Sequence, residues 1–295
     1  MKKVHTLDDL RHWPREDPPL RLAVFGDPVA HSASPPMHNA ALAECGIDAR
    51  YTRLHIRAEE LAEAFRLLPA QGFIGVNCTI PHKFAALALV DRADDHARRI
   101  GVVNTVAVEG EKLIGYNTDG PGLARAVRAE LGTELRDLRV MILGAGGGAG
   151  RAIAMQCAIE GCPRITLVNR TREKLSALVA ELGAFFPAKN LALSERADAA
   201  QLAQTGLVIN CTSVGMKPGD PSPIPAELLT ARHLLYDTIY TAARTPLLLA
   251  GDAVGARGAN GLTMLLHQGA LAFEIWFQRA APIEVMRAAL LARDP

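Results

Sequence analysis

The chain has 295 residues, of which 49% are hydrophobic, and its formal net charge is +1 at pH 7. That length is typical of about two domains, and the hydrophobic content excludes a disordered chain. The balanced charge gives no sign of a nucleic-acid or membrane-surface partner, and no run of about 18 uncharged apolar residues predicts a membrane span.

The N-terminal residues, the cysteines and the histidines exclude further classes. Met1–Asp9 has no apolar core, so we predict no signal peptide and expect a cytoplasmic protein. The five cysteines are an odd number without a C-x-x-C pair, and they are expected to be reduced core residues. The nine histidines show no metal-binding spacing such as H-E-x-x-H, so no metal site is predicted.

The first half of the chain alternates short apolar runs with helical patterns. Residues 1–20 contain three prolines, and no regular structure is predicted there. We predict strands at 21–25, 51–55 and 73–77, helices at 34–45, 58–68 and 83–90, and then a strand pair at 102–108 and 112–116 before a helix that ends at Leu131. Ser34, which precedes Pro35, is predicted to cap its helix. The alternation predicts an α/β fold with a mostly parallel sheet covered by helices.

A glycine-rich stretch opens the second half. Arg139–Leu143 has the pattern of a short buried strand, and a helical pattern covers 151–159. Between them Gly144-Ala-Gly-Gly-Gly-Ala149 fits G-x-G-x-x-G/A, with Gly150 left over. Such glycines allow a tight turn, close approach of a pyrophosphate and close packing of helix on strand, while the helix N-terminus offers free N–H groups to phosphate. The stretch predicts a Rossmann-type dinucleotide-binding domain.

The remaining pattern again alternates strands with helices. We predict strands at 164–168, 207–211 and 234–237. We also predict a helix that ends at Leu182 and two further helices at 262–278 and 282–292. Ligands of parallel sheets bind beyond the carboxyl ends of the strands. The side chains at or near those ends are Asn77, Asn169, Asn210 and Asp237.

The residues after the strand at 164–168 favour one cofactor. NAD-binding proteins place an acidic residue about 20 residues beyond the glycine loop, where it binds the ribose 2′-hydroxyl. Here the strand leads into Asn169, Arg170 and Thr171, and the guanidinium of Arg170 can pair with a 2′-phosphate. We therefore predict NADP rather than NAD. The alternative is that Arg170 and Lys174 are solvated charges, although cations in a first helical turn oppose the helix dipole and an anion would relieve that conflict.

Lys83 and Asp119 each allow two interpretations. Lys83 follows Pro81 in a predicted first helical turn, where a cation is unfavourable; it is either a surface lysine or a group placed to exchange a proton. Asp119 is either a helix cap or a carboxylate that works with Lys83. Hydroxyl and amide side chains in the strand-end loops suit either turns or a polyhydroxylated ligand. They are Ser32, Ser34, Asn77, Thr79, Asn104 and Thr118.

Several motifs together resemble the shikimate dehydrogenase family, along about 22–277. They are His31-Ser-Ala-Ser-Pro35, Asn77-Cys-Thr-Ile-Pro-His-Lys83, Gly101-Val-Val-Asn-Thr105, Gly115-Tyr-Asn-Thr-Asp-Gly120, Asn169-Arg-Thr171, Asn210-Cys-Thr-Ser-Val-Gly215, Tyr236-Asp-Thr-Ile-Tyr240 and Gly261-Leu-Thr-Met-Leu-Leu-His-Gln268. The sequence departs from the family pattern at Cys78, where valine is usual, in the extra glycine of 144–150 and in its N-terminal extension.

The resemblance implies an NADP-dependent oxidoreductase that reversibly reduces 3-dehydroshikimate to shikimate, a step of aromatic amino-acid (chorismate) biosynthesis. It implies Lys83 and Asp119 as the catalytic pair. The implied substrate-binding residues are Ser32, Ser34, Asn77, Thr79, Lys83, Asn104, Asp119, Tyr240 and Gln268. The implied cofactor-binding residues are Gly144, Ala145, Gly146, Gly147, Gly148, Ala149, Asn169, Arg170, Thr171, Lys174, Thr212, Ser213, Thr238, Gly261 and Met264.

The resemblance also implies two domains. We predict a substrate-binding and catalytic domain at 1–121 and 262–295, and a Rossmann NADP-binding domain at 122–261. Three alternatives stay open: a quinate/shikimate or aminoshikimate dehydrogenase, against whose NAD-using branch Arg170 argues; a methylene-tetrahydrofolate dehydrogenase, which would not need the paired serines; and a catalytically silent sensor of NADP and shikimate. The expected partner is a small molecule, with no nucleic acid and no membrane, and a homodimer also stays open.

Overall fold

The computed structural model describes residues 4–240 and 244–292. Its internal contacts divide the chain into two compact units. The first unit holds the described residues up to Thr118 and those from Leu266 onward, and the second holds Asp119–Leu265. Each unit contains its own sheet.

The first unit is built on a seven-stranded sheet in the order β1-β3-β2-β4-β6-β7-β5. Its strands are β1 (His5–Thr6), β2 (Leu20–Gly26), β3 (Arg50–His55), β4 (Gly75–Cys78), β5 (Arg92–Ala93), β6 (Thr105–Glu109) and β7 (Lys112–Tyr116). Its first helices are α1 (Leu7–Arg11), α2 (Ser34–Glu44), α3 (Leu61–Leu67), α4 (Lys83–Leu89) and α5 (Asp95–Ile100). Only β6 pairs antiparallel, with β4 and β7, so the sheet is mostly parallel as predicted.

The prediction that residues 1–20 lack regular structure is wrong. β1 pairs in parallel with β3, and Thr6 caps α1 through a reciprocal pair of hydrogen bonds with Asp9. Leu7 and Leu10 are buried against the core of the unit. The first proline is Pro14, which lies beyond both elements, so the prolines do not interrupt either of them. The Thr6-x-x-Asp9 spacing is the capping signal that the prediction overlooked.

The second unit is built on a six-stranded sheet in the order β10-β9-β8-β11-β12-β13, with every pair parallel. Its strands are β8 (Arg139–Leu143), β9 (Arg164–Val168), β10 (Leu191–Ser194), β11 (Leu207–Asn210), β12 (Leu234–Asp237) and β13 (Arg257–Asn260). Its helices are α6 (Asp119–Leu131), α7 (Gly148–Ile159), α8 (Ser176–Gly183), α9 (Ala199–Leu202) and α10 (Pro246–Ala253). The strand order reverses between β8 and β11, where ligands of such sheets bind.

Two helices complete the chain, α11 (Leu262–Phe277) and α12 (Ile283–Leu291). In the first unit α12 packs on α2, and Trp276 of α11 donates from Nε1 to the carbonyl of Val106 at 3.0 Å. A Cβ at Gly75 would lie 2.2 Å from that Nε1, so glycine is what lets the indole approach the sheet. Among the described residues, no helix combines the length and the apolar character needed to cross a membrane.

Candidate active site and cofactor loops

The serine loop, the segment of the first unit around Ser32 and Ser34, is held in place by hydrogen bonds to its backbone. The amide of Ser32 donates to the carbonyl of Val29 at 3.0 Å, and the guanidinium of Arg53 donates to the carbonyl of Ser32 at 2.6 and 3.1 Å. The prediction that Ser34 caps its helix is wrong, because Ala33 is the cap residue and Ser34 is the first helical residue. Ser34 is buried at the start of that helix.

The segment after β4 carries the proposed catalytic lysine. Thr79 donates from its amide to the carbonyl of Phe25 at 2.9 Å, and Asp27 donates to the carbonyl of Ile80 at 3.0 Å. Lys83 is the first residue of α4 and is half-buried. Burial raises the pKa of the neighbouring Cys78 to about 12, so this thiol stays protonated and takes no part as a nucleophile near neutral pH.

A chain of buried amides and hydroxyls continues from β4 toward α11. Asn77 donates from Nδ2 to Oγ1 of Thr105 at 3.0 Å, and Thr105 donates to Oδ1 of Asn104 at 3.2 Å. Nδ2 of Asn104 donates to Oγ1 of Thr118 at 2.9 Å, and the amide of Thr118 donates to Oδ1 of Asn104 at 2.7 Å. Nδ2 of Asn104 also lies 3.5 Å from Oε1 of Gln268. Buried polar groups need partners, and here they supply one another.

The first unit therefore joins three of the predicted substrate residues, Asn77, Asn104 and Gln268, in one network. Ser32 and Ser34 are joined to each other, since the amide of Ser34 donates to Oγ of Ser32 at 3.3 Å. Tyr51, whose hydroxyl donates to Asn77, is a further member of the network. The sequence did not point to Tyr51 because it lies within a strand, where an isolated hydroxyl is ordinarily an outward-facing residue. Asp119 and Tyr240 belong to the second unit, where Asp119 is the buried first residue of α6 and Tyr240 is partly exposed.

His38 lies behind this network and gives the protein a distinct pH dependence. The ring is fully buried, neither of its nitrogens bonds to a described residue, and burial lowers its pKa from 6.5 to about 3. Below pH 6.5 the unfolded chain binds a proton that the folded chain does not, so stability falls as the pH falls.

Replacement of His38 by phenylalanine removes this titration and keeps an aromatic ring. We expect the parent to lose about 2 to 3 kcal/mol more than His38→Phe in free energy of unfolding between pH 7 and about pH 4.5. Urea unfolding of both proteins at the two pH values measures the difference, since every other acid-titrating group is common to both. Equal losses would mean that His38 is not held neutral.

The glycine loop of the second unit has the geometry of a dinucleotide cradle. Gly144 has a φ of +77° and donates its amide to the carbonyl of Val168 at 2.8 Å. A Cβ at Gly150 would lie 2.3 Å from the carbonyl oxygen of Gly144, so the residue that the motif left over is the one that allows α7 to approach the loop. The amides at the start of α7 remain available to an anion, as the motif predicts.

The residues after β9 lie against this loop. Oδ1 of Asn169 accepts from the amide of Gly146 at 3.3 Å, and its Nδ2 donates to the carbonyl of Thr171 at 2.7 Å. Arg170 and Lys174 are exposed, and Arg172 beside them adds a third exposed cation. Arg172–Leu175 forms a 3₁₀ turn before α8. Asn169 thus joins the glycine loop to the segment that carries the exposed cations Arg170, Arg172 and Lys174.

The loop after β11 lies at the same edge of the sheet. A Cβ at Gly144 would lie 2.8 Å from Cγ2 of Thr212, which places the loop after β11 beside the glycine loop. Asn210 fixes that loop, since its Oδ1 accepts from the amide and the hydroxyl of Thr212 at 3.0 and 2.7 Å. Nδ2 of Asn210 donates to Oδ1 of Asp237 at 3.0 Å, and burial raises the pKa of Asp237. Ser213 is exposed at the tip.

The loops after β12 and β13 complete this edge. A Cβ at Gly261 would lie 2.1 Å from the carbonyl oxygen of Thr238, so no larger residue fits there. Met264 is buried, and its amide donates to the hydroxyl of Tyr236 at 3.0 Å. The predicted cofactor residues therefore come from five loops at one edge of one sheet. Among the described residues, no group of three or more His, Cys, Asp or Glu side chains could hold a metal ion.

Three family profiles match the chain. One described as the shikimate dehydrogenase substrate binding domain matches residues 24–106, one described as shikimate/quinate 5-dehydrogenase matches 125–215, and one described as the shikimate 5′-dehydrogenase C-terminal domain matches 261–291. The first lies in the first unit, and the second covers β8, β9 and the glycine loop.

Individual proteins are similar to this chain along most of its length. The chain is 44% identical to shikimate dehydrogenase (NADP(+)) of Symbiobacterium thermophilum over 92% of this chain and 93% of that one. A shikimate dehydrogenase solved in complex with NADP+ superposes with a TM-score of 0.85 at 37% identity, over 92% of this chain and 94% of the other. The 5-ketofructose reductase of Gluconobacter sp. strain CHM43 superposes with a TM-score of 0.81 at 33% identity, over 92% and 98%.

Fold and loops define the class of two-unit α/β proteins with a Rossmann-type sheet, which confirms the predicted fold. The chain belongs to the shikimate dehydrogenase family, as its motifs indicated.

Proposed function

We propose that the chain is an NADP-dependent shikimate dehydrogenase, which reversibly reduces 3-dehydroshikimate to shikimate in aromatic amino-acid biosynthesis. The observation that carries this proposal is the buried network of the first unit, which links Asn77, Asn104 and Gln268. A network of hydroxyls and amides suits a ligand with several hydroxyl groups and one carboxylate. Membership of the family supports the same substrate.

Within this proposal the serines bind the ring carboxylate. Arg53 holds the carbonyl of Ser32, which fixes the loop that presents both hydroxyls. Hydroxyl donors on a braced loop bind an anion with little loss of conformational entropy. Asn77, Thr79, Asn104 and Gln268 would bind the ring hydroxyls.

The glycine cradle and the cations after β9 fit NADP. Gly144, Gly146 and Gly150 leave no room for side chains, which is what close approach of a pyrophosphate requires. Arg170 would pair with the 2′-phosphate, because a guanidinium binds phosphate through two parallel hydrogen bonds. When bound, NADP supplies the acceptor for the hydride of the substrate's ring carbon.

Lys83 and Asp119 are the proposed acid–base residues. Lys83 would take the proton of the hydroxyl that is oxidised and return it in the reverse reaction. Asp119 would orient that hydroxyl. We further propose that 1–121 and 262–295 form the catalytic domain and 122–261 the NADP-binding domain, and that the protein acts in the cytoplasm on a small molecule without nucleic acid or membrane.

The carboxylate separates this function from a sugar reductase of the same fold. 5-Ketofructose has no carboxylate, whereas the proposed serine loop is built to bind one. A site whose buried polar groups lose their partner rejects the analogue strongly. We expect kcat/KM for shikimate to exceed that for its carboxylate-free analogue by about a hundredfold or more.

The measurement is NADP reduction with each compound, and NADPH oxidation with 5-ketofructose serves as the matched control. Similar turnover of shikimate and the carboxylate-free analogue would refute the placement of the serines. Binding of shikimate and NADP without any turnover would instead indicate a silent sensor.

A further inference from the structure

We propose that Tyr51 is a positioning residue, whose hydroxyl fixes Asn77 in the orientation that binds the substrate. This inference rests on the proposed function, because Asn77 is a substrate residue only within it. Tyr51 lies in β3, away from the motifs that mark the family, and it is 2% exposed.

The hydroxyl of Tyr51 bonds directly to a proposed substrate residue. It donates to Oδ1 of Asn77 at 2.7 Å, and both residues are buried. A phenol has a single proton, so this bond commits the proton of the hydroxyl to Asn77.

Asn77 needs such a partner to define which way its amide points. The two ends of a carboxamide have nearly the same shape but opposite hydrogen-bonding character. Tyr51 donates to the oxygen end, while the nitrogen end donates to Thr105 at 3.0 Å. Because both ends are specified, the amide presents one orientation rather than two.

The ring of Tyr51 is itself held rigidly. The ring of His38 stacks on it at 4.4 Å with an interplanar angle of 9°, and Trp276 lies at 6.1 Å on a tilted plane. Asn39 bonds to the backbone of Tyr51 at both its amide and its carbonyl, at 2.8 and 2.9 Å. A hydroxyl on a locked ring positions its partners more accurately than one on a mobile side chain.

The test is Tyr51→Phe, which removes the hydroxyl and keeps the stacked ring. We expect KM for shikimate to rise by about tenfold to a hundredfold, because Asn77 loses the donor that orients it. We expect kcat to change by less than about threefold and NADP affinity to stay constant, as for loss of uniform binding. Trp13→Phe is the matched control, since it removes the hydrogen bond from Nε1 of Trp13 to the carbonyl of Leu20 in the same unit.

A double-mutant cycle distinguishes positioning from general loss of structure. In an Asn77→Ala background, Tyr51→Phe should raise KM by less than about threefold further, because the group it positions is gone. If Tyr51→Phe does not fold, Thr105→Val removes the partner at the other end of the Asn77 amide, and KM should rise there as well.

An unchanged KM in Tyr51→Phe, or in Thr105→Val where that variant has to be used, overturns the proposal. An equal rise with and without Asn77, or an equal rise in Trp13→Phe, overturns it too. The parent enzyme is assayed alongside. A parent that turns over shikimate while the variants behave as the parent contradicts only the role of Tyr51, whereas a parent without shikimate turnover contradicts the proposed function and this inference together.

Discussion

Lys83→Ala should lower kcat for shikimate oxidation by about a hundredfold to ten-thousandfold, the range typical of a positioned acid–base group. NADP affinity should be almost unchanged, because Lys83 begins α4 of the first unit and the glycine cradle belongs to the second. Lys83→Arg should not restore activity, since a guanidinium stays protonated and cannot accept the proton. Steady-state kcat and KM in each variant, with NADP affinity measured separately, check this.

The control variants for Lys83 distinguish the loss of proton transfer from the loss of a positive charge. Lys112→Ala removes an exposed lysine at the start of β7 in the same unit and should leave kcat at the parent value. Asp119→Ala should also lower kcat, and the double variant should lose less than the product of the two losses, because residues that act together are not additive. If Lys83→Ala raises only KM, the lysine binds substrate without moving a proton.

Arg170→Asp should weaken NADP binding by about tenfold to a hundredfold or more, since it removes a charged hydrogen bond and places a carboxylate near the 2′-phosphate. NAD affinity should stay constant or improve, because the ribose 2′-hydroxyl can donate to the new carboxylate. The quantity to measure is the ratio of the two dissociation constants.

The matched control for Arg170 is Lys189→Asp. Lys189 is an exposed cation of the same unit, but it precedes β10 and so lies toward the amino end of that strand, at the edge opposite the cofactor loops. The same change of charge there should leave both affinities unaltered. If both variants lose NADP affinity equally, the effect is that of net charge, and Arg170 has no specific role.

The sequence was sufficient to predict an element wherever its local pattern and the tertiary structure agreed. The strand at Arg139–Leu143, the glycine loop and the helix after it follow from apolar periodicity and from the conformations that only glycine adopts easily. The sequence did not show which glycine matters most for packing. Gly150 proved to be the close contact because the helix approaches the carbonyl of Gly144, a distance that only the folded chain defines.

The elements that the sequence analysis missed have weak patterns of their own. β10 and β13 are the two edges of the second sheet, and each owes its strand conformation to the neighbour with which it pairs. β13 contains Gly258, a poor strand former, which is required because a Cβ there would lie 2.6 Å from Cδ2 of Leu248. Tertiary context therefore overrides local propensity at these edges.

The candidate site was predictable by residue type but not by connection. Motif spacing pointed to Ser34, Asn77 and Asn104, each on a different loop or strand end. Tyr51, whose hydroxyl bonds to Asn77, has no motif, because its role depends on the parallel pairing of β3 and β2 and of β2 and β4, which brings it near Asn77. Long-range register of this kind cannot be read from a single sequence.

Initial rates of cofactor reduction with shikimate and with quinate, each combined with NADP and with NAD, are the sharpest test of the proposed function. The proposed function predicts that shikimate with NADP has the highest kcat/KM of the four combinations. Because Arg170 is proposed to bind the 2′-phosphate, we expect kcat/KM for shikimate to fall by about tenfold or more when NADP is replaced by NAD. Absence of NADP reduction with shikimate, or faster turnover of quinate with NAD, would contradict the proposed function.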